Sequence, residues 1–589
     1  MNEEATEFVA GDEIVFDDNA NKFDINMTEK LPAQKVQFLN NVQQYNLYGS
    51  NHGISGTCDF IKKGNGELYI NTDKNDFTGK VSLEGGRVFA KTVSMAGFEG
   101  SFGASKSVEP EDFKLKDVEL YFNSPQNSTD HGMNLTGDVT LTVPDGSAAA
   151  ITGLINGTGR LIKEGAGQLN LNAINTYTGG TILRGGTLAM GNDKSQFGDK
   201  AQPITVENGI IRFYDSNHSS NAVTFNNPIV IENPTDTLTL KTGTYAKILG
   251  AISGKGVLNV NANGTRDDYR CDFSQFAGRI NVLSGYMRLA GANGISGLPV
   301  DLNNAEVWVN NAATIVQIKA GSSNTQDHKA KLGALCSYSK NASVGKGTYN
   351  IGYLNHDNDP WQGVILAGTT INKYGTGRWS LFDTNKGNSN VYSGTVMLSR
   401  GNGYTIDENG CLTIKDGGTA CGKNTKVAKA VVETGGILAV GDTMLVSKLT
   451  VDELTANGTI SLKIISGKAD QLITTKGITL NNAKIEVCDL SGTVKTGDEF
   501  KILNGKVSGT FILEGNGIEW DTTRLLSDGI IKVKNISTGI NGIITDEPDN
   551  VKYYDIDGME YPSSKNLHGI CIERKVKDGK ITIRKMVIK

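Results

Sequence analysis

Residues 161–190 read LIKEGAGQLNLNAINTYTGGTILRGGTLAM. Leu169 and Leu171, then Ile182 and Leu188, alternate with polar neighbours, the period of short half-buried strands. Glycines punctuate these runs and supply positive-φ or close-approach turns, and amphipathic 3.6-residue patterning of helical length is almost absent. The phrase recurs: residues 60–70 read FIKKGNGELYI, residues 371–381 read INKYGTGRWSL, and a worn copy, SGKGVLNV, occupies 253–260. Each is followed by an aromatic, a small residue and Gly: Phe77-Thr78-Gly79, Tyr177-Thr178-Gly179, Phe276-Ala277-Gly278 and Tyr392-Ser393-Gly394. Gly85-Gly86 and Gly185-Gly186 close the first two units, so the extended pattern repeats about 100 residues apart, which marks a duplication.

Many short strands with Gly and Asn turns are compatible with sandwiches or with a solenoid. The tandem repeat favours an all-β solenoid, in which each coil buries its inner face only against its neighbours. At roughly 22 residues per coil and about 4.8 Å per rung, residues 1–530 would stack to a length on the order of 110 Å. Asn71, Asn172 and Asn259, each just after a strand, suit either stacked turns with amides bonded along a column or ordinary left-handed turns. The best copies span 54–90, 155–190, 252–290 and 371–412, within a repeat region covering 1–535. Residues 536–550, ISTGINGIITDEPDN, read as a linker, and 551–589 as a separate short β-rich unit.

Composition excludes several classes. Among 589 residues there are 72 Gly and 11 Pro, with 21% charged, against typical usage of roughly 7% Gly and 5% Pro. The net charge of -5, without a basic stripe interleaved with aromatics, argues against a nucleic-acid partner. Seven Cys are scattered with no CxxC pair, which removes zinc ribbons and thioredoxin-type sites; Cys411 and Cys421 are near enough in sequence to pair. No apolar run reaches the length of a transmembrane segment, and the opening MNEEATEFVAGDEIVF lacks the regions of a signal peptide. Either the chain is cytoplasmic or its export signal has been removed.

The repeat phrases, with IKxGxG, the Leu/Ile alternation, [FY]TGG and GGTL, resemble the passenger-associated transport repeat, also called the autotransporter-associated β-strand repeat, of bacterial surface proteins. The resemblance implies a right-handed parallel β-helix displayed on or released from the cell surface. The tail is similar to the C-terminal sorting domain of type IX secretion in Bacteroidota-type bacteria. Tyr554, Asp555 and Gly558 match its YDxxG turn, the segment around Gly569 its KGxYxI strand, and Arg584 to Lys589, including Lys585, its basic terminal strand. His568 and Cys571 stand where Lys and Tyr are usual. This similarity implies recognition by secretion machinery, export to the extracellular or outer-membrane surface of a Gram-negative bacterium, and a trimmed or incomplete N-terminus.

Chemistry is thinly signalled. Arg266-Asp267-Asp268-Tyr269-Arg270 places paired carboxylates beside two Arg, a set able to bind an acidic sugar or to act as general acid and base, and otherwise a solvated loop. His356-Asp357-Asn358-Asp359 has calcium-like spacing but reads as a polar loop, and the GGxGxDx calcium repeat is absent. Trp308 and Trp379 read as strand core, whereas Trp361, in a loop, is the candidate sugar platform. No GxSxG, HExxH or P-loop occurs. No catalytic residue, metal or cofactor is expected. The leading expectation is a surface passenger, adhesin or stalk, contacting glycans or proteins; the alternative is the accessory or C-terminal part of a polysaccharide-degrading β-helix lyase or hydrolase.

Overall fold

In the computed structural model, residues 8–190, 196–213, 223–243, 245–290, 300–317, 329–401, 403–441, 445–536, 550–554, 560–561, 569–577 and 580–588 are described. The alternating runs of the duplicated phrase form the strands Arg160–Glu164, Gln168–Leu171, Thr181–Leu183 and Thr187–Met190. Each pairs in parallel with a strand one coil away: Asp138 lies beside Arg160, Leu161 beside Thr181, and Gln168 between Ala148 and Thr187. Parallel pairing in register puts like side chains over one another, so Ala149, Leu169, Leu188 and Ile211 make one buried column. Some 20 such turns make a parallel β-solenoid with almost no helix.

Three ladders build it. One has seven strands from Glu13–Asp17 to Ile155–Gly157, a second has eleven from Asp24–Asn26 to Ile252–Gly254, and a third begins at Gln126–Thr129 and runs to Val507–Gly515. Long strands, Val257–Tyr269 and Arg279–Leu289, bend round a corner and carry the third ladder on two faces, with register shifts at Val260/Asn261 and Asn261/Arg266. Coil length varies about the expected value: Met133 pairs with Ile155, but Val81 pairs with Phe113 across a longer excursion that buries Phe102 against Phe60 and Phe113.

The lysine of the repeat phrase is in the core. Lys62 lies between Phe38 and Leu83, Lys163 between Leu141 and Leu183, and Lys373 between Ile351 and Val391, all in inward columns. Each ammonium donates to carbonyls at the next corner. Lys163 Nζ reaches the oxygens of Glu164 and Gly165, both at 2.7 Å, and of Gly185 one coil on at 3.2 Å; Lys62 reaches Gly64 at 2.6 Å, and Lys373 reaches Tyr374 at 2.5 Å. The Glu164 oxygen also accepts the Val143 N–H at 3.0 Å, so the ammonium adds to the backbone bonding at the corner. The glycines complete the corner. Gly165 has φ of 77°, and a Cβ on Gly167 would lie 2.2 Å from the Pro144 oxygen.

A buried Asn recurs after the strand that follows the lysine corner. Asn175 Oδ1 accepts the Ile155 N–H at 2.8 Å and its amide donates to Gln196 O at 2.9 Å, tying three coils; Asn75 does the same with Ile54 and Ser101. Amide columns form at Asn259 and Asn281 (2.9 Å), and at Asn350, Asn372 and Asn390 (2.9 and 2.8 Å).

The third copy has a different register from the one its sequence suggests. Phe77, Tyr177 and Phe276 are buried, but Tyr392 is 36% exposed and stacks on Tyr374. Gly394 has φ of 68°, and a Cβ there would meet the oxygens of Gly375 and Gly377 at 2.4 and 2.5 Å, as one on Gly186 would meet those of Gly165 and Gly167. Ser393-Gly394 thus corresponds to Gly185-Gly186, and Gly387, two residues after Asn385, stands where Tyr177 follows Asn175.

Parallel pairing ends at Gly515. The strand-like residues that follow do not make another coil: Ile518–Asp521 and Ile530–Ile536 join Glu499–Lys501 in a three-stranded sheet, with Glu499–Lys501 antiparallel to Ile530–Ile536 and a short helix Leu525–Asp528 between. The six described sidechain-bearing cysteines, Cys411 and Cys421 included, form no disulfide.

The chain divides into two units, Met1–Asn535 and Ile536–Lys589. In the second, four strands make an antiparallel sheet in the order Glu560–Tyr561, Asn550–Tyr554, Gly569–Lys577, Lys580–Ile588. Tyr554 and Lys585 both pair with Ile572, and Gly569 with Ile588. Asp555, Gly558 and Lys589 lie outside the described residues, as does most of 536–550.

Burial lowers the Lys163 ammonium from 10.5 to about 8. The unfolded chain therefore holds the extra proton between those values, and stability contributed at this site rises with pH across that window. Lys163→Met removes the ammonium that the Gly165 and Gly185 carbonyls accept from, at a cost of about 1 to 3 kcal/mol near neutrality. Its thermal midpoint is expected below that of the parent, with a gap that widens from pH 8 to 10.5; a gap independent of pH contradicts the assignment.

Candidate functional site

The strand Val257–Tyr269 carries Arg266, Asp267 and Asp268, so successive side chains take opposite faces. Asp267 points inward, beside Ala246 and Met287. Its oxygens accept the Thr242 hydroxyl and the Ala246 N–H, each at 3.1 Å. Burial pushes its carboxyl up to about 7.

Asp268 points outward but is covered by its partners. Tyr245 Oη donates to it at 2.7 Å, Arg270 Nη2 at 2.9 Å and Arg288 Nε at 2.5 Å. Burial raises its carboxyl, but the hydrogen bonds from Arg288 and Tyr245 outweigh that and hold it below the ordinary value. The two carboxylates sit on opposite sides of one strand, so they do not form the acid–base pair their adjacency suggests. Nor are they a solvated loop. Arg266 is exposed, with its guanidinium 4.9 Å from the Tyr245 ring centre, and Arg270 is mostly covered.

Trp361 is not a loop platform. It ends the strand Asp359–Trp361, pairs with Leu381 and is fully buried. Trp379 is core, as expected, and donates to Leu335 O at 3.0 Å. Trp308 is the outward one, because Val307 and Val309 on either side of it take the inward positions. Its Nε1 donates to Glu306 at 3.0 Å, Arg279 lies over its ring at 5.2 Å and Tyr338 packs against it at 5.3 Å.

Near Trp308 a cleft of about 560 Å³ is lined by Lys255, Arg279, Asn304, Glu306, Leu354 and His356, the last two from the connection between Gly347–Ile351 and Asp359–Trp361. Burial raises the Glu306 carboxyl, but hydrogen bonds from Trp308 and Arg279 bring it below the usual range. His356 Nδ1 lies 2.8 Å from Asp359, whose carboxyl burial pushes up, and Asn358 bonds Ser380. These side chains diverge instead of enclosing a cation, and among the described residues no group of three or more His, Cys, Asp and Glu is placed to hold a metal.

Sequence reasoning missed Tyr245, Lys247 and Arg288. The signal was available in period two: Tyr245/Lys247, Arg266/Asp268 and Tyr286/Arg288 are outward pairs on three successive rungs.

Among known proteins, residues 161–190 match the family described as Passenger-associated-transport-repeat. A segment of 292 residues, 48% of this chain, is 25% identical to 8% of the Adhesin BmaC autotransporter of Brucella suis biovar 1. A segment of 56 residues, 9% of this chain, is 48% identical to 5% of the Neisserial autotransporter lipoprotein NalP of Neisseria meningitidis serogroup B. The chain carries an autotransporter-associated passenger repeat, and what it matches spans under a tenth of the length of either relative.

Asp267 tests the site's chemistry. Its folded carboxyl stays protonated up to about 7, whereas the unfolded one ionises near about 3.9. The folded state therefore holds the extra proton in that window, and this site loses stability as pH rises through it. Asp267→Asn is expected to gain in thermal midpoint over the parent at pH 8, with the gain shrinking toward pH 4. A gain unchanged with pH contradicts a carboxyl held neutral by burial.

Proposed function

We propose that this chain is an exported, surface-exposed passenger that acts by binding along its side surface, adhesin-like, and not by catalysis. The observation that carries this is the passenger-type repeat, matched at residues 161–190, folded as a solenoid whose strands turn every second side chain outward. The partial likeness to proteins named as autotransporters, one of them an adhesin, supports a place at the outer surface of a Gram-negative cell. One form of the competing reading, an accessory part of a polysaccharide-degrading enzyme, places a site at Asp267 and Asp268, and their opposite faces count against that form; its other form, a catalytic module elsewhere in a longer protein, does not involve them.

In the same reading the last unit is the address. Its resemblance to a type IX sorting domain rests on Tyr554, Asp555, Gly558, Gly569, Lys585 and Lys589, and the antiparallel pairing of Asn550–Tyr554 with Gly569–Lys577 is compatible with a small module offered to secretion machinery. The possible ligands are surface glycans or proteins.

The test is protease accessibility on intact cells that express the chain behind a periplasmic export signal, with and without residues 551–589. The full chain is expected outside and the truncated one retained in the periplasm. Retention of both overturns the export reading; display of both overturns the role given to the tail.

A further inference from the structure

The outward residues of three successive rungs form a grid. Tyr245, Arg266 and Tyr286 lie side by side in one row, and Lys247, Asp268 and Arg288 in the next. Arg270 closes the second row through its contact with Asp268. Four cations thus face one carboxylate. That carboxylate is fully buried and hydrogen-bonded by Arg288, Arg270 and Tyr245, so it fixes the guanidinium planes in place. Arg266 and Lys247 have no carboxylate partner among the described residues, and both lie within 6 Å of the Tyr245 ring centre, at 4.9 and 5.8 Å. Tyr286 is 48% exposed. Arg270 Nε is buried with no acceptor among the described residues.

We propose that this grid is a binding site for an anionic polysaccharide bearing carboxylate or sulfate groups. A guanidinium fork matches such a group two oxygens at a time; Arg266 offers one over the Tyr245 ring, while Asp268 holds Arg270 and Arg288 beneath it. The tyrosines offer flat apolar faces to sugar rings. Rungs about 4.8 Å apart repeat the cations along the axis, which suits an extended charged polymer better than a single small anion. A duplex nucleic acid fits less well, because the chain is acidic overall, at net charge -5, and the cations are confined to one patch. The inference rests on the passenger reading only for where the ligand is met.

Its test therefore uses the purified full chain, so that failure of export and failure of binding are separate results. Heparin (sulfated) and polygalacturonate (carboxylated) are titrated against the immobilised protein, with dextran and duplex DNA as controls. Binding of heparin alone assigns the site to sulfates, and of polygalacturonate alone to uronates; either supports the proposal. The double variant Arg266→Ala/Lys247→Ala, at positions outside the core, is expected to weaken binding by about tenfold or more and to flatten its salt dependence. Arg266→Lys with Lys247 intact should recover part of the loss, and Lys114→Ala/Arg160→Ala, on other strands, should change nothing. Circular dichroism and the thermal midpoint establish that each variant is folded. Binding of neither polysaccharide, equal binding of dextran, tighter binding of DNA, or full affinity in the folded double variant overturns the proposal.

Discussion

Everything in this molecule depends on one constraint: a chain that stacks on itself in parallel must turn several corners per coil without stranding the peptide groups it buries there. Strand to strand, the backbone satisfies itself. At the corners it does so only in part, through bonds such as Gly167 N–H to Val143 O, and the repeat phrase supplies further partners. Its lysine threads the interior to reach corner carbonyls, as Lys163 does for Glu164, Gly165 and Gly185. Its first glycine takes a positive φ, and its second lets adjacent coils come closer than any side chain allows. The buried Asn that follows ties three coils together. A phrase that reads like a surface turn is the structural core of the repeat.

With the corners fixed, the faces between them are free to vary, and there the outward columns carry alternating charge and stacked rings. Arg87 lies between Glu67 and Glu119, Arg184 between Glu164 and Glu207, and Tyr69 stacks on Phe89, which meets Tyr121 at a tilt. Exposed pairs of this kind add little stability each. Their spacing matters more, because it presents side chains at a constant step along one axis. Around Tyr245 this column pattern turns cationic, and the buried Asp268 holds Arg270 and Arg288 in a fixed geometry there.

The architecture was legible because alternation at Leu169 and Leu171 and the duplication about 100 residues apart are properties of the repeat itself. What was not legible follows from side chains whose type misleads. Lys62, Lys163 and Lys373 read as polar, yet a long aliphatic stem can cross a core if its ammonium finds carbonyls at the far side. Trp361 sits among polar residues and Pro360, which suggested a loop, but it closes a buried strand. Trp308 was readable: its flanking valines take the inward positions, so period two sends the tryptophan out. The same rule separates Asp267 from Asp268 once both lie on a strand. Tyr392 was grouped by its Ser-Gly neighbours, whereas the close approach of Gly394 to Gly375 and Gly377 sets the true register.

The most direct measurement of coil-on-coil stacking is the distance between spin labels placed along one outward column. Asn46, Tyr69, Phe89, Tyr121, Thr142 and Glu164 occupy successive rungs, and Glu207 lies two further on, past Arg184. Labels at Asn46 and Glu164 should give a narrow distribution near about 24 Å, and labels at Asn46 and Glu207 one near about 34 Å. A second distance no longer than the first, or broad distributions in both, would mean that the coils do not stack in parallel register.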